Sequence, residues 1–121
     1  MTSPRIAGAR PAGGRVRVAS EVVASIAAMA ALQTHGVAAI CQNLGVGGTR
    51  PLRAEQSHKG VRLEMVGSSA IKVEVYVCIT GDASVPELAE QLQGRVEKDL
   101  QQMLGLEVVE VNVHVVEIEE V

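Results

Sequence analysis

The sequence predicts a two-layer α+β domain: two helices packed on one face of a small, mostly antiparallel sheet, in the order β-α-β-β-α-β. Three observations carry this. Leu88, Leu92, Val96, Leu100 and Met103–Leu104 recur three or four residues apart, the stripe of an amphipathic helix. Val109, Val111, Val113 and Val115 alternate with Glu110, Asn112 and His114, the period of a strand buried on one side. Ile71, Val73, Val75, Val77 and Ile79 alternate in the same way with Lys72, Glu74, Tyr76, Cys78 and Thr80. At 121 residues the chain suits one domain, placed at 15–116 between an N-terminal tail at 1–14 and an acidic tail at 117–121. Its core must be aliphatic, because there is one Tyr and no Phe or Trp.

Residues 1–14 are rich in Pro, Gly, Ala and Arg without periodicity and read as disordered. Arg15 to Val18 alternates like a short strand. Ser20 is placed to cap a helix running to Thr34 or His35 and stopped by Gly36. Ile26 to Leu32 is apolar all round, so this helix is buried on more than one side. Its alanines allow a second backbone to approach closely. The second helix is the simpler occupant, and another subunit, touching Ala28 and Ala31, is the alternative.

Val37 to Ile40 reads as a short extended piece. Cys41 to Lys59 has no period, and its glycines suggest a flexible loop. Gly45 to Arg50 lacks the Lys-Ser/Thr ending of a phosphate-binding loop. Met65–Ile71, Leu63–Val73 and Val61–Val75 pair across a turn at Gly67-Ser68-Ser69. That register sets Glu64 against Lys72 and Arg62 against Glu74, so hydrophobic and charge patterns select the same hairpin. Ser84, Pro86 and Glu87 form a helix start with a capping box, and Gly105 forms a stop. The valine alternation changes phase near Val115–Val116, which predicts a bulge.

The face away from the helices would present Lys72, Glu74, Tyr76, Glu110, Asn112 and His114, together with Arg62, Glu64 and Cys78. Antiparallel sheets commonly leave one such face solvated, and this one is also a candidate interaction surface.

Composition narrows the function. A net charge of -3 argues against a nucleic-acid binder. His35, His58, His114 and the two cysteines show no metal-ligand spacing such as CxxC or HExxH, and no Gly-x-Ser-x-Gly elbow occurs. No catalytic residue, cofactor site or metal site is expected. Cys41 and Cys78 do not make a disulfide framework. Cys78 reads as a small, partly buried apolar residue. No apolar stretch follows the first arginines, and Ile26 to Leu32 falls far short of the ~20 residues of a membrane span. A cytoplasmic protein is expected, with any membrane association through a partner.

Together these elements resemble the alkaline-shock protein family of envelope stress-response proteins. The resemblance runs from Val16 to Val115. It rests on Val16 to Ala27, on Gly36-Val37 and Lys59-Gly60-Val61, on Val85 to Ala89, and above all on the closing Val109-Glu110-Val111-Asn112-Val113-His114-Val115 after a Gly105-Leu106 turn. The resemblance implies no catalytic residues. It implies an envelope or alkaline stress role through self-association, or docking to a membrane-anchored family member at the cytoplasmic face of the membrane. Two other readings stand beside it. One is a small RNA-binding α+β module, disfavoured by a lone Tyr76. The other is a regulatory protein linked to lipid synthesis, since some family members are encoded beside such genes.

Overall fold

A computed structural model describes residues 19–119, so the expected tail and the expected strand at 15–18 lie outside the described residues. The elements are α1 (Ser20–Leu32), β1 (Val37–Asn43), β2 (Thr49–Leu52), β3 (Val61–Val66), β4 (Ala70–Thr80), α2 (Val85–Leu104) and β5 (Glu107–Glu119), with short 3-10 turns at Gly45–Gly47 and Ala54–Gly60. The two-layer α+β arrangement is as the sequence predicts. Strand β4 is the centre of the sheet. β5 runs along one side of it in parallel, and β3 and β1 share the other side, both antiparallel, with β2 beyond β1.

The β3–β4 register is the one read from the sequence, including Arg62 opposite Glu74 and Glu64 opposite Lys72. Helix α2 buries Leu88, Leu92, Val96 and Leu100, with Pro86 in its first turn. Gly105 ends it in the left-handed conformation (φ +70°). There Gly105 N–H donates to the Gln101 carbonyl and Leu106 N–H to that of Leu100, which satisfies carbonyls the helix end leaves free.

Some expectations are corrected. Ser20 is the first helical residue rather than the cap, and Ala19 occupies the cap position with no side-chain bond. Ser84 is in the cap position of α2, but its side chain makes no capping bond either. The segment from Cys41 to Lys59 is not an unstructured loop. β1 continues to Asn43 and forms a hairpin with β2, closed by Leu44 N–H donating to the Gly48 carbonyl at 2.7 Å. The following 3-10 turn packs against α1 and β1. Gly60 sits so close to β1 that a Cβ there would overlap the Cys41 carbonyl and the Ile40 side chain.

Helix α1 is apolar all round because three neighbours cover it: the sheet, α2 and the 3-10 turn at Ala54–Gly60. Ala27, Ala28 and Ala31 are completely buried. Ala28 and Ala31 are therefore core residues of the folded chain and offer no surface to another subunit. The outward side of α1 carries Val22 and Met29 instead, both exposed.

The cysteines are also corrected. Cys41 on β1 and Cys78 on β4 form a disulfide with 6.4 Å between their Cα atoms. Both are buried. β1 meets β4 over only three paired positions, with a register shift between Val37 and Ala39, so the bridge fastens the shortest junction of the central strand.

β5 bulges twice. Val109 is skipped between the Ile71–Val108 and Lys72–Glu110 pairs, and Val116 between Val77–Val115 and Cys78–Glu117. The second bulge falls where the valine pattern changes phase. The first removes Val109 from the apolar row and leaves it 46% exposed. Glu117 to Glu119 continue the strand opposite Cys78 to Thr80 instead of starting a tail.

Candidate interaction surface

With Val73, Val75 and Val77 buried under the helices, strand alternation turns Lys72, Glu74 and Tyr76 to the opposite face. The parallel register of β5 then places Glu110 beside Lys72, Asn112 beside Glu74 and His114 beside Tyr76. All six residues of the expected surface on these two strands thus lie on one side of the sheet, in two adjacent columns. Arg62 and Glu64 on β3 form a third column. Cys78, expected on this surface, is withdrawn from it by burial and by its bond to Cys41.

The side chains hold one another. The Tyr76 and His114 rings stack with centroids 4.6 Å apart and planes 14° from parallel. The Arg62 guanidinium carbon lies 5.7 Å from the Tyr76 ring centre, within cation–π range. Glu74 Oε1 accepts from the Tyr76 hydroxyl at 3.3 Å and lies 3.6 Å from His114 Nε2. Among the described residues His114 Nε2 has almost no water contact and no partner at hydrogen-bond distance, and the Glu74 carboxylate lies just beyond that distance. Asn112 donates to Glu110 Oε2 at 2.9 Å, and Lys72 Nζ lies 3.9 Å from Glu110 Oε1.

This surface is half-exposed and polar and carries charges of both signs, with the Tyr76 ring already stacked. A base would have to displace His114 or Arg62 to stack on Tyr76, so the geometry argues against a nucleic-acid platform. Among the described residues no group of three or more His, Cys, Asp or Glu side chains is placed to hold a metal ion. Among the described residues no helix is long and apolar enough to cross a membrane, which says nothing of a β-barrel. His58 is separate from the surface, 3.7 Å from Glu21 on α1.

The sequence reading identified the face but missed the Tyr76–His114 stack. A signal was present. A strand, a helix and a strand joined by short turns favour a parallel neighbour through a right-handed crossover, and that pairing sets Tyr76 beside His114.

The fold and its open face define a class: a small two-layer α+β domain with a polar sheet surface. The chain belongs to the alkaline shock protein 23 family, which has a cell envelope-related function, and the family profile matches residues 9–120. It is 31% identical over 106 residues to YqhY of Bacillus subtilis (strain 168), covering 88% of this chain and 78% of that protein. It is 28% identical over 104 residues to YloU of the same strain, covering 84% of this chain and 86% of that protein. Among solved structures, MamM-CTD 215-293 is similar in backbone arrangement, with a TM-score of 0.48 and 14% identity over 85% of this chain and all of that one.

Proposed function

We propose that this chain is a non-catalytic assembly protein of the cell envelope. It associates with itself and docks, through the open sheet face, to a membrane-anchored member of its own family. The family's envelope-related function supports the setting. The observation that carries the reading is the organised surface itself. On a regular sheet, Glu74 joins Tyr76 and His114, and beside them Glu110 joins Lys72 and Asn112, two adjoining polar clusters that the strand pairing holds side by side. Such a surface suits recognition of another protein, where charge pattern sets specificity and rim residues set the rate of encounter.

The test is fluorescence microscopy of the full chain fused to a fluorescent protein in a bacterial host carrying the anchored family member. The signal should follow the cell rim. Arg62→Glu combined with Tyr76→Ala should make it diffuse while leaving the circular dichroism spectrum unchanged. A wild-type signal spread evenly through the cell interior would contradict the docking reading.

A further inference from the structure

Strand β5 has one side paired with β4, and its other side meets no strand among the described residues. Unpaired edges of this kind are places where a second chain adds on. The two bulges, at Val109 and Val116, divide the edge into zones and leave Glu110 to Val115 as a regular stretch between them. On the helix side this stretch carries Val111, Val113 and Val115. Val113 and Val115 pack against the core but remain only partly covered. On the open side it carries Glu110, Asn112 and His114.

We propose that β5 is the self-association edge. It pairs antiparallel with β5 of a second copy about a two-fold axis at Val113, joining two sheets into one. This rests on the self-association part of the function proposed above and assigns it a place. The argument is self-complementarity. Directly opposed residues of an antiparallel pair share a face, so a two-fold at Val113 sets Val111 against Val115 of the second copy, and Val113 against itself. On the open face it sets Asn112 against His114 of the second copy, twice. Glu110 then falls opposite the Val116 bulge and Glu117 opposite the Val109 bulge, so no acid faces an acid from Val109 to Glu117. Neighbouring registers are worse. A two-fold at His114 places two imidazoles against each other, and one at Asn112 leaves Val115 opposite the bulged Val109. One-residue slips that mix the two faces would set valines among polar groups.

Further out, Glu107 would face Glu119, and this repulsion together with the two bulges limits the pairing to the central stretch. A two-fold contact also uses up the edge, so the product is a closed dimer rather than a fibre. Gln93 of α2, which donates to the Val111 carbonyl at 2.9 Å, occupies one acceptor of β5 in the single chain. It would give that acceptor up to the incoming strand.

Sedimentation velocity of the full chain over a wide concentration range tests this with two double variants. Asn112→Lys with His114→Lys sets like charges opposite each other across the two-fold. Asn112→Lys with His114→Glu sets opposite charges there. Both variants lose the Tyr76–His114 stack and both place the same new ammonium group at position 112 beside Glu74. At position 114, also beside Glu74, the lysine is attracted within its own chain and the glutamate repelled. That difference favours the first variant, so a dimer weakened in the first and restored in the second comes from the contact between copies. A wild-type dimer, at least roughly tenfold weakened in the first variant and restored in the second, is the expected result. A wild-type dimer that neither variant changes would overturn the β5 assignment and leave self-association standing. A wild-type monomer at every concentration would overturn both.

Discussion

Joining Cys41 to Cys78 closes a segment with a sequence separation of 37 residues that contains β2, β3 and both 3-10 turns. In the chain-entropy account, a cross-link over a loop of that length removes about 13 cal/mol/K of denatured-state entropy, which is about 4 kcal/mol at room temperature. That is roughly a quarter or more of the stability of a typical domain. Both sulfurs lie in the interior, with Cys41 and Cys78 at 0% and 1% exposure, so the reduced thiols occupy the same places and most packing survives reduction. The comparison is therefore the same protein, oxidised and reduced, unfolded in urea and followed by circular dichroism. Thiols are counted in denaturant on both samples. The oxidised form should hold no free thiol and should be more stable by about 4 kcal/mol on linear extrapolation. Cys41→Ala with Cys78→Ala should behave like the reduced form, slightly weakened by the two small cavities. Oxidised and reduced curves that coincide, or two reactive thiols in the oxidised sample, would refute the reasoning.

Other perturbations test other parts of the fold. Leu92 is fully buried on the core stripe of α2, and Leu92→Ala should cost about 3–4 kcal/mol in urea unfolding. Gly60→Ala should cost roughly 1–3 kcal/mol because its Cβ overlaps the backbone of β1, and hydrogen exchange should quicken first in β1 and the 3-10 turn before β3. The Asp82 carboxyl titrates below its ordinary value of 3.8, first because it accepts from the Thr80 side chain, then through its own backbone bond and the charge of His35. A depressed carboxyl pKa stabilises the fold above the unfolded value, and the contribution is lost as pH falls through the folded one. Thr80→Val should raise the Asp82 pKa seen by nuclear magnetic resonance and shorten that acid limb. An unmoved pKa would remove Thr80 as the cause.

The parts of the fold legible in the sequence are those where two independent local patterns agree. The β3–β4 register is such a case, because valine alternation and the Arg62–Glu74 and Glu64–Lys72 pairs allow one solution. So is the end of α2, where periodicity stops at Gly105. The β1–β2 hairpin was hidden because its strands carry Gln42, Asn43, Thr49 and Arg50 on an exposed sheet end, without an apolar row. The disulfide was hidden because residues so distant in sequence become neighbours only through tertiary pairing of β1 with β4. The burial of Ala28 and Ala31 required knowing that the turn at Ala54–Gly60 covers the third side of α1. For the surface, alternation assigned Lys72, Glu74, Tyr76, Glu110, Asn112 and His114 to their face but failed at the bridged Cys78 and the bulged Val109, and the order of the columns depended on the parallel β4–β5 pairing.

A β5-paired dimer would carry two copies of the open face on one continuous sheet. Docking to an array of membrane-anchored partners would then gain from two-point attachment. That link makes self-association the hinge of the functional account. Its most direct test is the solution mass of the full chain by light scattering across a concentration series. The account predicts a mass rising from 12.7 kDa towards twice that value and levelling there. A mass fixed at 12.7 kDa up to the highest concentration would contradict it.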